Sequence, residues 1–129
     1  MDDRRLSTLG TGIGLVFGGA IGLLVGVILG TDIVSPLSYG TGGGIIVGAL
    51  AGRLVRANRG EDAFAVRVVG GCATVGLLVG AGIGGVSAWS VDASLTSGAA
   101  IGAGAGIVHG LVVGGLLLSA LDQTASVTE

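Results

Sequence analysis

Four long apolar stretches, separated by short polar segments, make up almost the whole chain. Charged residues lie only at the borders of these stretches, so that none occurs between Arg5 and Asp32 or between Arg67 and Asp92. A membrane-spanning helix needs about 20 predominantly apolar residues. The pattern therefore predicts a single domain of four transmembrane helices, at about 8–30, 37–57, 63–89 and 95–121, followed by a short polar tail at 122–129.

Within these stretches glycine recurs on every fourth residue. A four-residue step makes a nearly continuous ridge along a helix, whereas residues two apart share a face of a strand. In lipid, small residues let helix backbones approach each other closely. The pattern predicts an all-α polytopic membrane protein whose helices pack along glycine ladders. The ladders are Gly10, Gly14, Gly18, Gly22, Gly26 and Gly30; Gly40, Gly44, Gly48 and Gly52; Gly76, Gly80 and Gly84; and Gly98, Gly102, Gly106, Gly110 and Gly114.

The length of the first ladder predicts where its helix lies. Four residues turn a helix through about 400°, so a ladder drifts by about 40° at each step. One straight neighbour cannot follow that drift over six glycines. We therefore expect the first helix either to cross its partners at about −40° or to contact two neighbours at different depths. A central position in a compact bundle would satisfy the second alternative, and so would an oligomer.

Two parts of the chain resemble each other. The segment Gly22–Gly26 has the same five residues as Gly76–Gly80, 54 positions later, and the second ladder matches the fourth when Gly40 is placed on Gly98. This similarity predicts a tandem duplication of a helical hairpin, with two parallel repeats. The alternative is that any two glycine-rich helices look alike.

The basic residues predict the orientation. Arg4 and Arg5 precede the first helix, and the other four surround the middle loop. Because cytoplasmic loops carry an excess of basic residues, we expect both termini and the middle loop in the cytoplasm, in the cell membrane of a prokaryote. The middle-loop arginines either only fix this topology or also contact anionic lipid headgroups or a partner. They are Arg53, Arg56, Arg59 and Arg67.

One ionisable side chain lies deep inside an apolar stretch. His109 falls near the middle of the fourth helix, where an ionisable residue points to a proton relay, a ligand contact or a gate. The alternative is a neutral imidazole that donates to a carbonyl of a neighbouring helix or faces a small wet pocket. Cys72 occupies a ladder position and is expected to be a packing residue, because one cysteine and one histidine are too few for a zinc site.

Composition narrows the function further. The mean hydropathy is +0.94, aromatic residues make up 3% of the chain and the formal net charge is −2, which argues against nucleic-acid binding. The sequence has no catalytic triad, carboxylate pair or phosphate-binding loop. We therefore expect no enzymatic activity, no cofactor, no metal and no soluble small-molecule substrate.

The ladders resemble those of glycine-zipper membrane proteins, a broad class that includes channels, pore formers and assembly factors. This resemblance implies tight helix association only. Small four-helix fluoride channels share this length, and Gly48–Arg53 is similar to their glycine-then-arginine stretch. Their pattern also needs an asparagine within the membrane and a phenylalanine in the third helix, whereas Asn58 falls in the middle loop and Phe64 precedes the third apolar span. That match is rejected.

Two functions remain. The first is a non-enzymatic membrane protein that acts through tight helix association, as a scaffold, an accessory subunit or a self-assembling oligomer. Its partners would be the lipid bilayer and either further copies of itself or another membrane subunit. The second is a small channel or transporter with a pathway near His109.

Overall fold

The computed structural model describes residues 3–29 and 32–126, which form four α-helices and no strand within those ranges. The all-α class is therefore confirmed. The helices are α1 (Asp3–Leu29), α2 (Val34–Ala57), α3 (Phe64–Ser90) and α4 (Leu95–Ser126). Helix α1 begins before the predicted start, and α4 continues through much of the predicted tail. Hydropathy marks the part of a helix that suits lipid, but a helix can continue into polar residues beyond it.

The helices form two antiparallel hairpins. Helix α1 packs along α2, and α3 packs along α4, whereas contacts between the two hairpins are sparser. Helices α2 and α4 each touch all three other helices. Within the described ranges α1 contacts α2 and α4 but not α3, so it has two neighbours, as one of the two alternatives predicted, without lying at the centre of the bundle. The central positions belong to the second helix of each hairpin.

Three of the described helices are long and apolar enough to cross a membrane: Arg4–Leu24 within α1, Phe64–Ser90 and Leu95–Asp122. The chain is thus a small multi-pass membrane protein by helix length and hydropathy. Helix α2 does not reach this level, in contrast to the prediction of four such spans. Its first half is rich in glycine and hydroxyl side chains, and its last turns contain Arg53 and Arg56, all of which lower its mean hydropathy.

The start of α2 is fixed by Asp32. Its Oδ1 atom accepts hydrogen bonds from the backbone N–H groups of Val34 at 2.8 Å and Ser35 at 3.0 Å. The hydrogen bond from the Ser35 backbone holds the pKa of Asp32 below its ordinary value, because it favours the charged carboxylate. Pro36 follows in the first turn, where its missing N–H costs nothing.

The other two connections use left-handed residues. Ala63 precedes α3 with φ 58°, and Asp92 lies between α3 and α4 with φ 52°. The start of α4 is capped by Ser94, whose hydroxyl accepts a 3.4 Å hydrogen bond from the Ser97 backbone N–H. Asp92 donates its backbone N–H to the Trp89 carbonyl at 3.3 Å. It therefore helps to turn the chain after α3.

Small residues lie at the helix contacts and large apolar side chains lie on the outside, which is the reverse of the arrangement in a soluble protein. Glycine lines the helix contacts, while large aliphatic side chains such as Val16, Leu24 and Leu78 are exposed on the outside. A soluble protein of this size seldom exposes so much contiguous apolar surface. This outer surface suits contact with lipid chains.

At one end of the bundle the hairpins are joined by larger side chains. This loop end contains the start of α1, the α2–α3 loop and the end of α4. All four helices contribute fully buried residues to a cluster that we call the loop-end core. Its members are Leu6, Ala51, Val55, Val68, Cys72, Val113 and Leu117. The opposite end, which we call the turn end, contains the α1–α2 and α3–α4 connections.

Candidate functional site: the cavity between the hairpins

Within the first hairpin the helix backbones lie in direct contact. A Cβ atom added at Gly14 would overlap the carbonyl oxygen of Gly44 and lie 2.9 Å from its carbonyl carbon. Real side-chain atoms do not come this close to a backbone, so only glycine fits at these positions. The same holds along the seam at Gly10 with Gly48, Gly18 with Gly40, and Gly22 with Pro36.

The second hairpin has a seam of the same kind. A Cβ atom added at Gly80 would overlap the carbonyl oxygen of Gly102, and the reverse substitution would overlap that of Gly80. Toward the loop end, Cys72 takes the ladder position and its carbonyl oxygen lies against Gly110. The remaining close pairs are Gly76 with Gly106 and Gly84 with Gly98.

These pairs test the two shifts on which the predicted duplication rests. If the second ladder is placed on the fourth with the predicted shift of 58 residues, the pairs place Gly10 on Gly76, so corresponding positions of α1 and α3 lie 66 residues apart. The sequence similarity at Gly22 instead gives a shift of 54 residues between α1 and α3. The two predicted shifts are therefore not compatible with one set of paired positions.

The ends of the ladders are packed less tightly. Gly52 lies against the backbone of Ser7, where an added Cβ would be 3.1 Å from Cα, and Gly114 lies against Val69 and Cys72. The surroundings of Gly26 are not described, and Gly30 lies outside the described residues. Eight other glycines have open space where a side chain would be: Gly12, Gly42, Gly60, Gly70, Gly82, Gly85, Gly104 and Gly115.

Between the hairpins lies a cavity of about 660 Å³. All four helices line it, and its lining includes turn-end residues such as Ser90 and Ser94. The loop-end core closes the bundle at the other end, where Val113 and Leu117 are fully buried. The cavity is thus a pouch that starts at the turn end and stops part of the way through the bundle.

The wall of this cavity is mainly apolar. Glycines of all four helices alternate there with aliphatic side chains such as Val79, Ile83 and Ile101. Polar side chains of the lining lie toward the turn end, among them Asp32, Ser94 and Ser97. Hydroxyl and carboxylate groups therefore surround the mouth, and hydrocarbon surrounds the interior.

His109 lies at the closed end of the cavity. Fourteen residues separate it from Leu95 at the start of α4, which corresponds to about 21 Å along the helix. The side chain is 5% exposed, and neither ring nitrogen has a hydrogen-bond partner among the described residues. Buried polar atoms are rarely left without a partner in folded proteins, so this imidazole is a candidate contact for a ligand.

The middle-loop arginines lie away from this site and are not among the residues that line the cavity. Arg53, Arg59 and Arg67 are exposed. Arg67 forms an ion pair with Glu61 at 3.4 Å, in which both side chains are more than half exposed. Exposed pairs of this kind contribute about 0–1 kcal/mol to stability.

Of the residues that the sequence singled out for possible chemistry, only His109 lines the cavity. Among the described residues there is no group of three His, Cys, Asp or Glu side chains that could hold a metal ion. Cys72 is buried in the loop-end core as a packing residue. No protein-family model matches the chain, and no curated protein or solved structure shows significant similarity to it.

Sequence reasoning missed the cavity itself. The signal for it lies in the size of the residues along the inner faces of the helices. Toward the loop end these faces contain Leu6, Val55 and Leu117, while toward the turn end they contain mostly glycine. Two hairpins that touch through large residues at one end and present glycine at the other leave a gap between them.

Proposed function

We propose that this chain is a non-enzymatic integral membrane protein that crosses the bilayer four times and admits a small solute between its hairpins, as a transporter or channel. The observation that carries this proposal is the cavity of about 660 Å³ that ends at the unpartnered His109. Pockets of about 300–1,000 Å³ are typical of small-molecule sites. An intramembrane ionisable residue at the end of such a pocket is a functional candidate by default.

Helix α2 takes part as the fourth span. It has 24 residues and pairs with α1 from Gly22 opposite Pro36 to Gly10 opposite Gly48. A helix held at that depth beside an apolar neighbour crosses the same hydrocarbon layer. Its central position removes the need for the high hydropathy of a lipid-facing helix. The arginines at the loop end then favour a cytoplasmic location for that end.

Helix association as the main function is our second candidate. The repeated close glycine contacts support a glycine-zipper bundle and favour this reading. They are occupied inside the chain, however, because each seam joins the two helices of one hairpin. A scaffold, an accessory subunit or a self-assembling oligomer would have to use the outer surface instead. For this reason we place this function after the solute pathway.

The test is flux through proteoliposomes. Purified wild type is reconstituted, and proton flux is followed with an entrapped pH dye while permeation of urea and glycerol is followed by light scattering. We expect flux above that of protein-free liposomes, reduced at least several-fold by His109→Ala and by Ala105→Leu, which fills the cavity. Gly104→Leu is the matched control, because Gly104 has open space beside it.

Absence of flux for all of these solutes, together with a stable oligomer by light scattering in detergent, would reverse the order of the two candidates. Equal flux through wild type and Ala105→Leu would place the pathway elsewhere in the bundle.

A further inference from the structure

We infer that the cavity binds a neutral and largely apolar molecule, with an oxygen-bearing group at its leading end that hydrogen-bonds to His109. This inference rests on the proposed function and names the class of molecule that the cavity selects. It follows from three properties of the described lining, namely its charge, its apolar composition and the position of its polar groups.

The charge of the lining favours a neutral ligand. Asp32 lies at the mouth, and no arginine is among the residues that line the cavity. Burying an ion without a partner of opposite charge is strongly unfavourable. An anion would meet no basic side chain except the imidazole, and a cation would leave Asp32 behind as it moved inward.

The composition of the lining favours a largely apolar ligand. Val79, Ile83 and Ile101 provide aliphatic side chains along it, between glycines such as Gly40 and Gly102. Apolar walls of this kind bind water poorly, so a hydrocarbon group is the better occupant.

The position of His109 favours a ligand with an oxygen atom at its leading end. A neutral imidazole has one N–H donor and one acceptor nitrogen. A carbonyl oxygen can accept from the donor, and a hydroxyl group can bond to either nitrogen. Both nitrogens are covered in the structure, so the imidazole has to turn toward the ligand as it arrives.

The test compares three compounds that share one ring system and one alkyl chain: 2-decylnaphthalene, 6-decyl-2-naphthol and 2-decyl-1,4-naphthoquinone. Binding to the full-length protein is measured by isothermal titration in detergent micelles, with empty micelles as the blank. We expect at least one oxygen-bearing compound to bind wild type about 5- to 30-fold more tightly than the hydrocarbon, a ratio that corresponds to one or two hydrogen bonds.

The variants assign this preference to the site. His109→Leu should bind all three compounds equally, and His109→Gln, which keeps a donor and an acceptor, should retain part of the preference. Ala105→Leu should weaken all three, whereas Gly104→Leu should leave them unchanged. Thermal unfolding of each variant in the same detergent identifies any that fails to fold. If His109→Leu is one of these, the affinities of His109→Gln for the three compounds decide whether the preference depends on the side chain at this position.

Equal affinity of wild type for the three compounds, or a preference that survives in His109→Leu, would overturn the inference. These outcomes differ from failure of the proposed function. Solute flux without any preference among the compounds would remove this inference alone, while a preference without flux would remove the transport function and keep the binding site.

Discussion

The contacts inside each hairpin differ in kind from the contacts between the hairpins. Inside a hairpin, glycine faces glycine and one backbone lies directly on the other, as at Gly14 and Gly44. Between the hairpins, side chains mediate the contact: Leu54 meets Gly71 at the loop end, and Ile83 meets Gly43 nearer the turn end. The first kind of contact leaves no room for adjustment, whereas the second depends on flexible side-chain ends.

This difference suggests how a protein of such simple composition can combine rigidity with a cavity. Lipid is as apolar as a leucine side chain, so helix association in a membrane depends on close packing. The glycine seams provide that packing within each hairpin. We therefore expect each hairpin to behave as a rigid body joined to the other by the loop-end core, since a change in the space between them at the turn end would break neither seam.

The largest expected effect tests the seam of the first hairpin. Gly14→Leu places a side chain on the carbonyl of Gly44, and because the backbone cannot move aside, we expect a destabilisation of about 3 kcal/mol or more, or failure to fold. Gly12→Leu, two residues away in the same helix, has open space and should change stability by about 0.5 kcal/mol at most. Unfolding in mixed micelles, followed by circular dichroism, measures both. Similar losses for the two variants would contradict the described seam.

An intermediate effect compares two adjacent glycines of α2. An added Cβ at Gly44 meets the backbone of Gly14, whereas one at Gly43 meets the Cδ1 atom of Ile83, at the flexible end of its side chain. We expect Gly44→Ala to cost about 1–3 kcal/mol and Gly43→Ala less than about 1 kcal/mol, because Ile83 can change rotamer. The same unfolding assay applies. If Gly43→Ala were more destabilising than Gly44→Ala, the interface between the hairpins would be packed more tightly than the seam inside the first hairpin.

The smallest effect concerns the exposed turn that starts α2. The pKa of Asp32 is lowered in the folded protein, so its stabilising contribution is complete above the ordinary carboxyl pKa and is lost as the pH falls through the lowered value. Asp32→Ala should therefore lower the unfolding temperature at pH 7 and have a smaller effect at pH 2.5, which lies below the ordinary carboxyl pKa. Unfolding curves of wild type and variant at both pH values measure this. An equal difference at both would show that the carboxylate charge is unimportant.

Hydropathy and spacing were enough to predict the helices, because both depend on local properties of the chain. The four-residue glycine step likewise predicted surfaces on which helices could meet. It could not identify the partner of each surface. Gly14 would fit against any helix with a glycine ridge, and only the short connection near Asp32 makes α2 its neighbour.

The cavity and the register could not be predicted for a different reason. The similarity between Gly22–Gly26 and Gly76–Gly80 is a local likeness of sequence, while pairing register is set by the length of each connection and by the side chains that meet. The depth of the cavity depends in turn on where the loop-end core begins, and Val113 and Leu117 of that core follow His109 along α4. These are properties of the assembled bundle.

The exposed segment between α2 and α3 has a consequence for biosynthesis. Because each hairpin satisfies its own seam, the first one can complete its packing in the membrane before the ribosome has finished the second. The loop-end core then joins the two hairpins, and the chain itself connects them only through residues 58–63, which include the left-handed Gly60 and Ala63. We therefore expect two halves made from separate genes to assemble into the same bundle.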